Sequence, residues 1–244
     1  MLTDTMPPIL APVPAAAPGD DPETSPAQAF DPAAAAQMER IVSDLGRMYR
    51  ERNRALQEVT RAHHDALFRL AFAAEMRDGD TGQHIMRIGF LAAALALTLG
   101  CKVDWSRQLR MAAPMHDIGK LGVPDSVLKK PGPLTPDEWT AMREHPRLGA
   151  ALLGPSGVPV FALAAEVALS HHERWDGTGY PAGLSGDRIP LSGRIVAVVD
   201  FFDALTMDRC YRPALPDERA LAMLREERGK AFDPQIVDAF MEHR

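Results

Sequence analysis

Cysteine is scarce in this chain of 244 residues: only Cys101 and Cys210 occur, far apart and without a CxxC pair. A disulfide framework, a thiolate zinc site and an iron–sulfur cluster therefore all lack support. Because intracellular proteins generally keep their thiols reduced and few, we expect a cytoplasmic protein.

Long apolar runs are also missing. The stretch 90–99 falls well short of the ~20 residues of a membrane-spanning helix, and no basic region precedes the apolar residues of the N-terminus. The sequence therefore predicts no membrane insertion. A net charge of −6 argues against the broad basic face that duplex nucleic-acid binding requires. A small phosphorylated ligand is still compatible, because bound metal ions and local cations can supply the positive field.

The remaining composition indicates three regions. Residues 1–36 are rich in Pro and Ala with almost no large apolar side chains, which predicts a disordered tail. Residues 37–76 have apolar positions such as Ile41 and Leu45 at helical spacing, so we expect a long helix. A dimerising or signal-carrying helix and an ordinary helix packed on its own domain explain this pattern equally well. Residues 77–244 are expected to form a globular domain.

That third region contains no convincing strand alternation or hairpin signal. Its apolar positions recur at helical spacing between short Gly/Pro turns, so the predicted fold class is all-α. Thr135-Pro136-Asp137-Glu138 is a clear helix start, because Thr can cap the helix and Pro suits its first position. His145 is expected near the end of that helix.

The strongest chemical signal is the run from His116 to Lys120. It places an imidazole, a carboxylate and an ammonium within one predicted helical turn. The Asp117 carboxylate could bridge two metal ions while His116 fills a position on one of them. A second polar cluster, 171–181, opens with two adjacent histidines. Together they predict a two-metal centre, and imidazole with carboxylate but no thiolate suits Fe or Mn.

Asp200 strengthens this prediction. It lies in the apolar pattern 198–205, where an ionised carboxylate is costly to bury unless it is paired or metal-bound. An arginine partner would explain Asp200 alone, whereas a metal explains Asp200 together with the histidines. Asp203, one turn later, can orient a ligand. Taken singly, His84 and His145 are better interpreted as satisfied core histidines.

Together these residues resemble the HD-GYP proteins, a branch of the HD metal-dependent phosphohydrolases. The resemblance extends from about Ala71 to Phe240 and rests on seven motifs: 81–84, 116–120, 128–132, 145–146, 171–181, 189–190 and 200–206. It implies that residues 77–244 form an HD-type helical bundle extended by C-terminal helices. It also implies hydrolysis of cyclic di-GMP, a bacterial second messenger, to linear pGpG or GMP with two or three metal ions.

The resemblance also implies residue roles. It gives Asp117 and Lys120 the catalytic roles, with Lys120 at the phosphate, and suggests Asp80 as a third-metal ligand because trimetallic members carry an acid four residues before the histidine at position 84. A helix N-cap is the alternative for Asp80. The implied metal ligands are His84, His116, Asp117, His145, His171, His172 and Asp200. The implied nucleotide contacts are Lys120, Tyr180, Asp203, Arg209 and Arg212.

Two other functions remain open at this point. One is an HD-type phosphohydrolase of another nucleotide, and the other is a non-catalytic cyclic di-GMP receptor or interaction module. The complete ligand set favours an enzyme, since a binding module has no need of all seven. Expected partners are cyclic di-GMP, a second copy of the chain through the 37–76 helix, and a regulatory protein.

Overall fold

The structure, a computed structural model, describes residues 31–78, 82–208 and 213–242. Within these ranges no strand is present beyond an isolated bridge between Arg228 and Phe232, which confirms the predicted all-α class. None of the helices described there combines the length and apolar character needed to cross a membrane. In chain order the helices are α1 (Pro32–Asp78), α2 (Gln83–Thr98), α3 (Val103–Ala112), α4 (Asp125–Leu128), α5 (Pro136–Met142), α6 (His145–Leu153), α7 (Pro159–Ser170), α8 (Leu191–Thr206), α9 (Asp217–Glu226) and α10 (Pro234–Glu242).

Helix α1 begins at Pro32, so residues 32–36, which were predicted to belong to the disordered tail, are helical. The Asp31 side chain accepts a 2.9 Å hydrogen bond from the Ala33 amide, and Pro32 suits the first helical position. The alanines 33–36 are the best helix formers and continue the helix from that cap. The rest of the predicted tail, residues 1–30, lies outside the described residues.

The chain divides into two compact units, Met1–Ala55 and Leu56–Arg244. In the second unit, the α1 side chains of Leu67, Ala71 and Ala74 are buried in the hydrophobic core. Burying a leucine of this kind contributes roughly 1.5–3 kcal/mol, which ties this part of α1 to its domain. The hydrophobic core of this unit thus includes α1 residues that precede the boundary predicted after residue 76.

The rest of the core is built by helices of the second unit. Helix α2 packs on α3 and α8, and α7 packs on α6 and α8. Fully buried side chains such as Val167 on α7 and Val198 on α8 fill the space between them. This packing leaves the candidate ligands on elements that meet at one place.

Two glycines decide how closely those elements approach. A Cβ at Gly119 would overlap the carbonyl oxygen of His145, so the segment after Asp117 lies directly against the start of α6. A Cβ at Gly193 would overlap the Ser170 hydroxyl, so α8 lies directly against the end of α7. A larger residue at either position would separate elements that carry candidate ligands.

The segment that contains His116 differs from the regular helical turn that the sequence predicted. Helix α3 ends at Ala112, and two 3₁₀ segments follow, Ala113–Met115 and Ile118–Gly122. Asp117 lies between them with φ −102° and ψ 8°, outside the α-helical region. This break turns the Asp117 side chain towards the histidines.

The helix predicted to start at Thr135 is confirmed, and its start is a capping box. The Thr135 hydroxyl accepts a hydrogen bond from the Glu138 amide at 3.3 Å, and the Thr135 amide donates to the Glu138 carboxylate at 2.7 Å. The helix ends at Met142, however, and His145 opens α6 instead of closing α5. Pro146 explains the new start, because proline suits the first turn of a helix.

Candidate metal centre

The structure brings all seven implied ligands together, in two groups. Within each group, one ligand atom from every residue lies within 4.8 Å of the others. The ligands come from five places in the chain: α2, the segment after α3, the start of α6, the end of α7 and α8. The first group is Asp117, His145, His171 and His172, and the second is His84, His116 and Asp200.

Asp117 lies between the two groups and faces both. Its Oδ1 atom is 3.2 Å from Nε2 of His145 and 3.6 Å from Nε2 of His171, in the first group. Its Oδ2 atom is 3.3 Å from Nε2 of His116, in the second group. His116 Nε2 is in turn 3.7 Å from Oδ1 of Asp200. A carboxylate in this position can bind one metal ion with each oxygen.

Three of the histidines are held in the tautomer that a metal ligand needs. Nδ1 of His116, His145 and His171 lies 3.1, 2.8 and 3.0 Å from the carbonyl oxygen three residues earlier. Because a carbonyl oxygen only accepts, each Nδ1 must carry the proton and donate it. Each Nε2 then presents a lone pair to the centre, as in metal sites whose ligand histidines are oriented by a backbone carbonyl.

The same atoms lack other partners. Among the residues described, Nε2 of His116, His145 and His171 and Oδ1 of Asp117 are buried without a hydrogen-bond partner. Leaving a buried polar atom unsatisfied costs about 1–3 kcal/mol of folding stability. Four such atoms in one place would therefore strongly destabilise a cluster that had only a structural role. Divalent cations would satisfy all four, and the donor set suits them.

His84 is oriented differently, by a side chain. Its Nδ1 lies 2.6 Å from Oδ2 of Asp203, and its Nε2 is 3.4 Å from Oδ1 of Asp200. Asp203 is buried, and it also accepts hydrogen bonds from Arg87 at 2.5 and 3.0 Å. The resemblance implied a nucleotide contact for Asp203, but the structure places it behind His84, where it orients a ligand. Arg87 was not predicted from the sequence, although it follows His84 by three residues on α2, a spacing that puts both on one face.

The electrostatics favour the metal-binding forms of the carboxylates. Burial raises the pKa of Asp117, but Lys120, with Nζ 2.8 Å from Oδ2, and His116 outweigh it and hold that pKa well below its usual range. Burial likewise raises the pKa of Asp200, yet the hydrogen bond with His84 and the nearby His116 keep that pKa lowered. Both carboxylates are therefore ionised at neutral pH.

The histidines divide into two kinds. Burial lowers the pKa of His172 well below its usual range, and neighbouring His171 lowers it further, so His172 is neutral and ready to bind. Burial also lowers the pKa of His84, but its hydrogen bonds with Asp200 and Asp203 outweigh burial and raise it to about 10. A metal ion at Nε2 of His84 would take the place of that proton.

A cavity of about 380 Å³ opens beside the first ligand group. The ring of Tyr180 lines it and stacks on the His172 imidazole, with centroids 4.8 Å apart and planes 22° apart. The Arg143 guanidinium lies 5.3 Å from the Tyr180 centroid, and Arg174 and Phe201 line the same cavity. Guanidinium groups beside aromatic faces suit a ligand that carries both phosphate and nucleobase. Tyr180 was implied by the resemblance, whereas the sequence analysis missed Arg143 and Arg174.

Glu173 holds the loop that carries Tyr180. Its carboxylate is buried and accepts hydrogen bonds from the amides of Ala182, at 2.7 Å, and Leu184, at 2.8 Å. The Tyr180 amide donates to the His172 carbonyl at 3.2 Å. These bonds fix the tyrosine against the metal ligands. Sequence reasoning gave Glu173 no role, because its partners lie 9 and 11 residues later, in a segment without regular structure.

Three of the implied residues, Asp80, Arg209 and Arg212, lie outside the described residues. The N-cap of α2 is Gly82.

The helical bundle and the paired histidine–aspartate groups, which could hold metal ions, are those of an HD-type domain. The sequence model of the HD domain family matches residues 37–236. The chain belongs to this family, and its relatives place it in the HD-GYP branch.

Two relatives are similar over most of this chain. The cyclic di-GMP phosphodiesterase response regulator RpfG of Xanthomonas campestris pv. campestris is 47% identical over 190 residues, which cover 78% of this chain and 50% of that protein. A cyclic di-GMP phosphodiesterase of Vibrio cholerae is 47% identical over 197 residues, 75% of this chain and 40% of the relative. The chain thus spans half or less of the length of these relatives.

A solved structure agrees in fold. The cyclic GMP-AMP specific phosphodiesterase V-cGAP3 of V. cholerae superposes with a TM-score of 0.55 over 73% of this chain and 48% of that one. At 21% identity this likeness supports the fold alone.

Proposed function

We propose that this protein is a metal-dependent phosphodiesterase that hydrolyses cyclic di-GMP to linear pGpG, GMP or both, and so lowers the level of this second messenger in a bacterium. The observation that carries the proposal is the position of Asp117 between two ligand groups, with unsatisfied Nε2 atoms around it. Two relatives at 47% identity are named as cyclic di-GMP phosphodiesterases, which supports the same reaction. The cysteine content still predicts a cytoplasmic location.

We propose two or three divalent ions, Fe or Mn by ligand type, held by the seven ligands and, for a third ion, by Asp80. Bound there, such ions would supply Lewis-acid activation of the phosphodiester and of a water molecule. The protein's own part is to orient the ligands and to place Lys120. With Nζ 2.8 Å from Asp117 Oδ2, the Lys120 ammonium lies at the edge of the centre, where it can neutralise charge that develops on a phosphoryl oxygen.

We place the nucleotide in the cavity beside the first ligand group. Tyr180 offers a ring face for guanine, and Arg143 and Arg174 offer planar donors for phosphate oxygens. Burial raises the pKa of Tyr180 to about 12, with Asp117 adding to the effect, so its hydroxyl is neutral and the ring acts as a stacking surface. Arg209 and Arg212 remain predicted nucleotide contacts.

We also propose a homodimer through the first part of α1. Met38, Ile41, Leu45 and Met48 are 63, 47, 59 and 61% exposed and follow one another at spacings of three and four, as in the seam of a coiled coil. Sedimentation of the wild-type chain should give twice the monomer mass. The double substitution Ile41→Asp with Leu45→Asp should give a monomer. A monomeric wild-type chain would contradict the dimer and favour a regulatory protein as the partner of this surface.

The function is tested by turnover. Protein purified without oxygen and loaded with Fe or Mn should convert cyclic di-GMP to pGpG or GMP, with two or three metal ions per chain by elemental analysis. A panel with cyclic GMP-AMP and cyclic di-AMP tests the alternative of another nucleotide. Tight binding of cyclic di-GMP without turnover under every metal would instead support the non-catalytic receptor.

A further inference from the structure

Arg77, in the last turn of α1, makes five hydrogen bonds to the segment that follows Asp117. Its Nη1 donates to the carbonyl oxygens of Lys120 and Leu121, each at 2.7 Å. Its Nη2 donates to the carbonyl oxygen of Val123 at 2.7 Å and to Oδ1 of Asp125 at 2.6 Å. Its Nε donates to the same Oδ1 atom at 3.1 Å. One guanidinium therefore binds three carbonyl groups and a carboxylate.

These contacts stabilise a segment that is weakly held by its own backbone. Residues 118–122 form a 3₁₀ segment, whose hydrogen bonds have poorer geometry than those of an α-helix. The Lys120 carbonyl accepts one backbone bond, from Val123 at 3.1 Å, and Arg77 supplies a second donor to it. A planar guanidinium can reach several carbonyls at once in a fixed fork, which an ammonium cannot do.

The segment held by Arg77 carries the cation of the candidate site. The Lys120 carbonyl is bound to Arg77, while Nζ of the same residue lies 2.8 Å from Oδ2 of Asp117. The Lys120 amide also donates to the Asp117 carbonyl at 2.9 Å. Because the backbone of Lys120 sets where its ammonium lies, a shift of this segment moves the ammonium away from the phosphoryl group. Displacements of about 1 Å in a catalytic group can cost on the order of 100-fold in rate.

We propose that Arg77 is a positioning residue of the reaction: it fixes the backbone of Lys120 and thereby joins the end of α1 to the active site. This inference rests on the proposed phosphodiesterase function. It gives α1 a direct mechanical connection to the catalytic lysine, so a displacement at the C-terminal end of α1 alters turnover without altering the metal ligands.

The competing explanation is that Arg77 only stabilises the fold. Both roles lower activity when Arg77 is removed, so a single variant does not separate them. A positioning role acts through Lys120, however, and its effect disappears when the Lys120 ammonium is absent. A structural role costs the same factor in either background, because effects of independent sites add in free energy.

The experiment is a double-mutant cycle with Arg77→Ala and Lys120→Ala. Each variant is assayed for kcat, KM, bound metal and thermal midpoint with cyclic di-GMP. We expect Arg77→Ala to lower kcat about 10- to 100-fold, with KM and metal content close to wild type. In the Lys120→Ala background the further loss should be no more than about twofold. The matched control is Arg69→Ala, which removes an exposed arginine about two turns earlier on α1 and should leave kcat unchanged.

Several results would overturn the inference. Wild-type kcat in Arg77→Ala would do so, and so would an equal loss in both backgrounds. If Arg77→Ala does not fold, Arg77→Lys decides: it keeps the charge but not the planar fork, so a reduced kcat with normal metal content supports positioning, and a normal kcat contradicts it. Absence of turnover in the wild-type protein under all metals would instead overturn the proposed function itself.

Discussion

Asp203 on α8 accepts a 2.6 Å hydrogen bond from Nδ1 of His84 on α2, and this bond fixes which nitrogen of the histidine faces the metal centre. Arg87 holds the same carboxylate from the other side, with two hydrogen bonds. The histidine is thus oriented by a buried ion pair and not by a backbone carbonyl. The family resemblance implied a nucleotide contact for Asp203, whereas in this structure its carboxylate contacts His84, a candidate metal ligand.

This relationship predicts the phenotype of Asp203→Asn. Asparagine has one acceptor oxygen instead of two and no charge, so it cannot keep all three hydrogen bonds with His84 and Arg87, and we expect metal affinity to fall about 10- to 100-fold. The KM for cyclic di-GMP, measured at saturating metal, should stay near the wild-type value. A raised KM with unchanged metal affinity would indicate instead that Asp203 contacts the nucleotide.

Replacement of Asp117 should have the largest effect. Because each of its oxygens faces a different ligand group, Asp117→Ala should abolish detectable hydrolysis and reduce the metal bound per chain, while circular dichroism still shows the helical fold. Asp104→Ala is a suitable control, since the Asp104 side chain is 90% exposed on α3. Wild-type turnover in Asp117→Ala would contradict the bimetallic centre.

Lys120 should separate substrate handling from metal binding. Lys120→Ala removes a cation from the phosphoryl group and leaves the seven ligands intact, so we expect normal metal content and a kcat lower by about 100-fold or more. Elemental analysis and steady-state kinetics on the same preparation check both parts. Loss of metal in this variant would instead assign Lys120 a structural role beside Asp117.

The proposed role of Asp80 as a third-metal ligand is tested by the products of the reaction. By family resemblance a third metal favours onward conversion of linear pGpG to GMP, so Asp80→Ala should lower the number of metal ions per chain and make the reaction stop at pGpG. Chromatography of the products over time gives the ratio. An unchanged ratio and unchanged metal content would leave the centre bimetallic, with no ligand role for Asp80.

The sequence was most informative where chemistry and spacing coincide. His116 and Asp117 are adjacent, His171 and His172 are adjacent, and Asp200 is embedded in an apolar pattern, so each could be found without knowing the fold. His84 and His145 could not be assigned singly, and only the resemblance added them. The beginning of α1 was missed because the prediction weighed the Pro/Ala composition and overlooked the cap at Asp31.

The sequence by itself therefore determined the all-α class, the family and the identity of the candidate ligands, because these depend on residue types and short spacings. Only the tertiary structure decided how those ligands are oriented and supported. Asp203 lies 119 residues from His84, and Arg77 lies 43 residues from Lys120. Such contacts arise when helices pack, and no local pattern encodes them. The residue types make these side chains suitable metal ligands. Their orientation, however, depends on which distant side chains and carbonyl groups the packing places beside them.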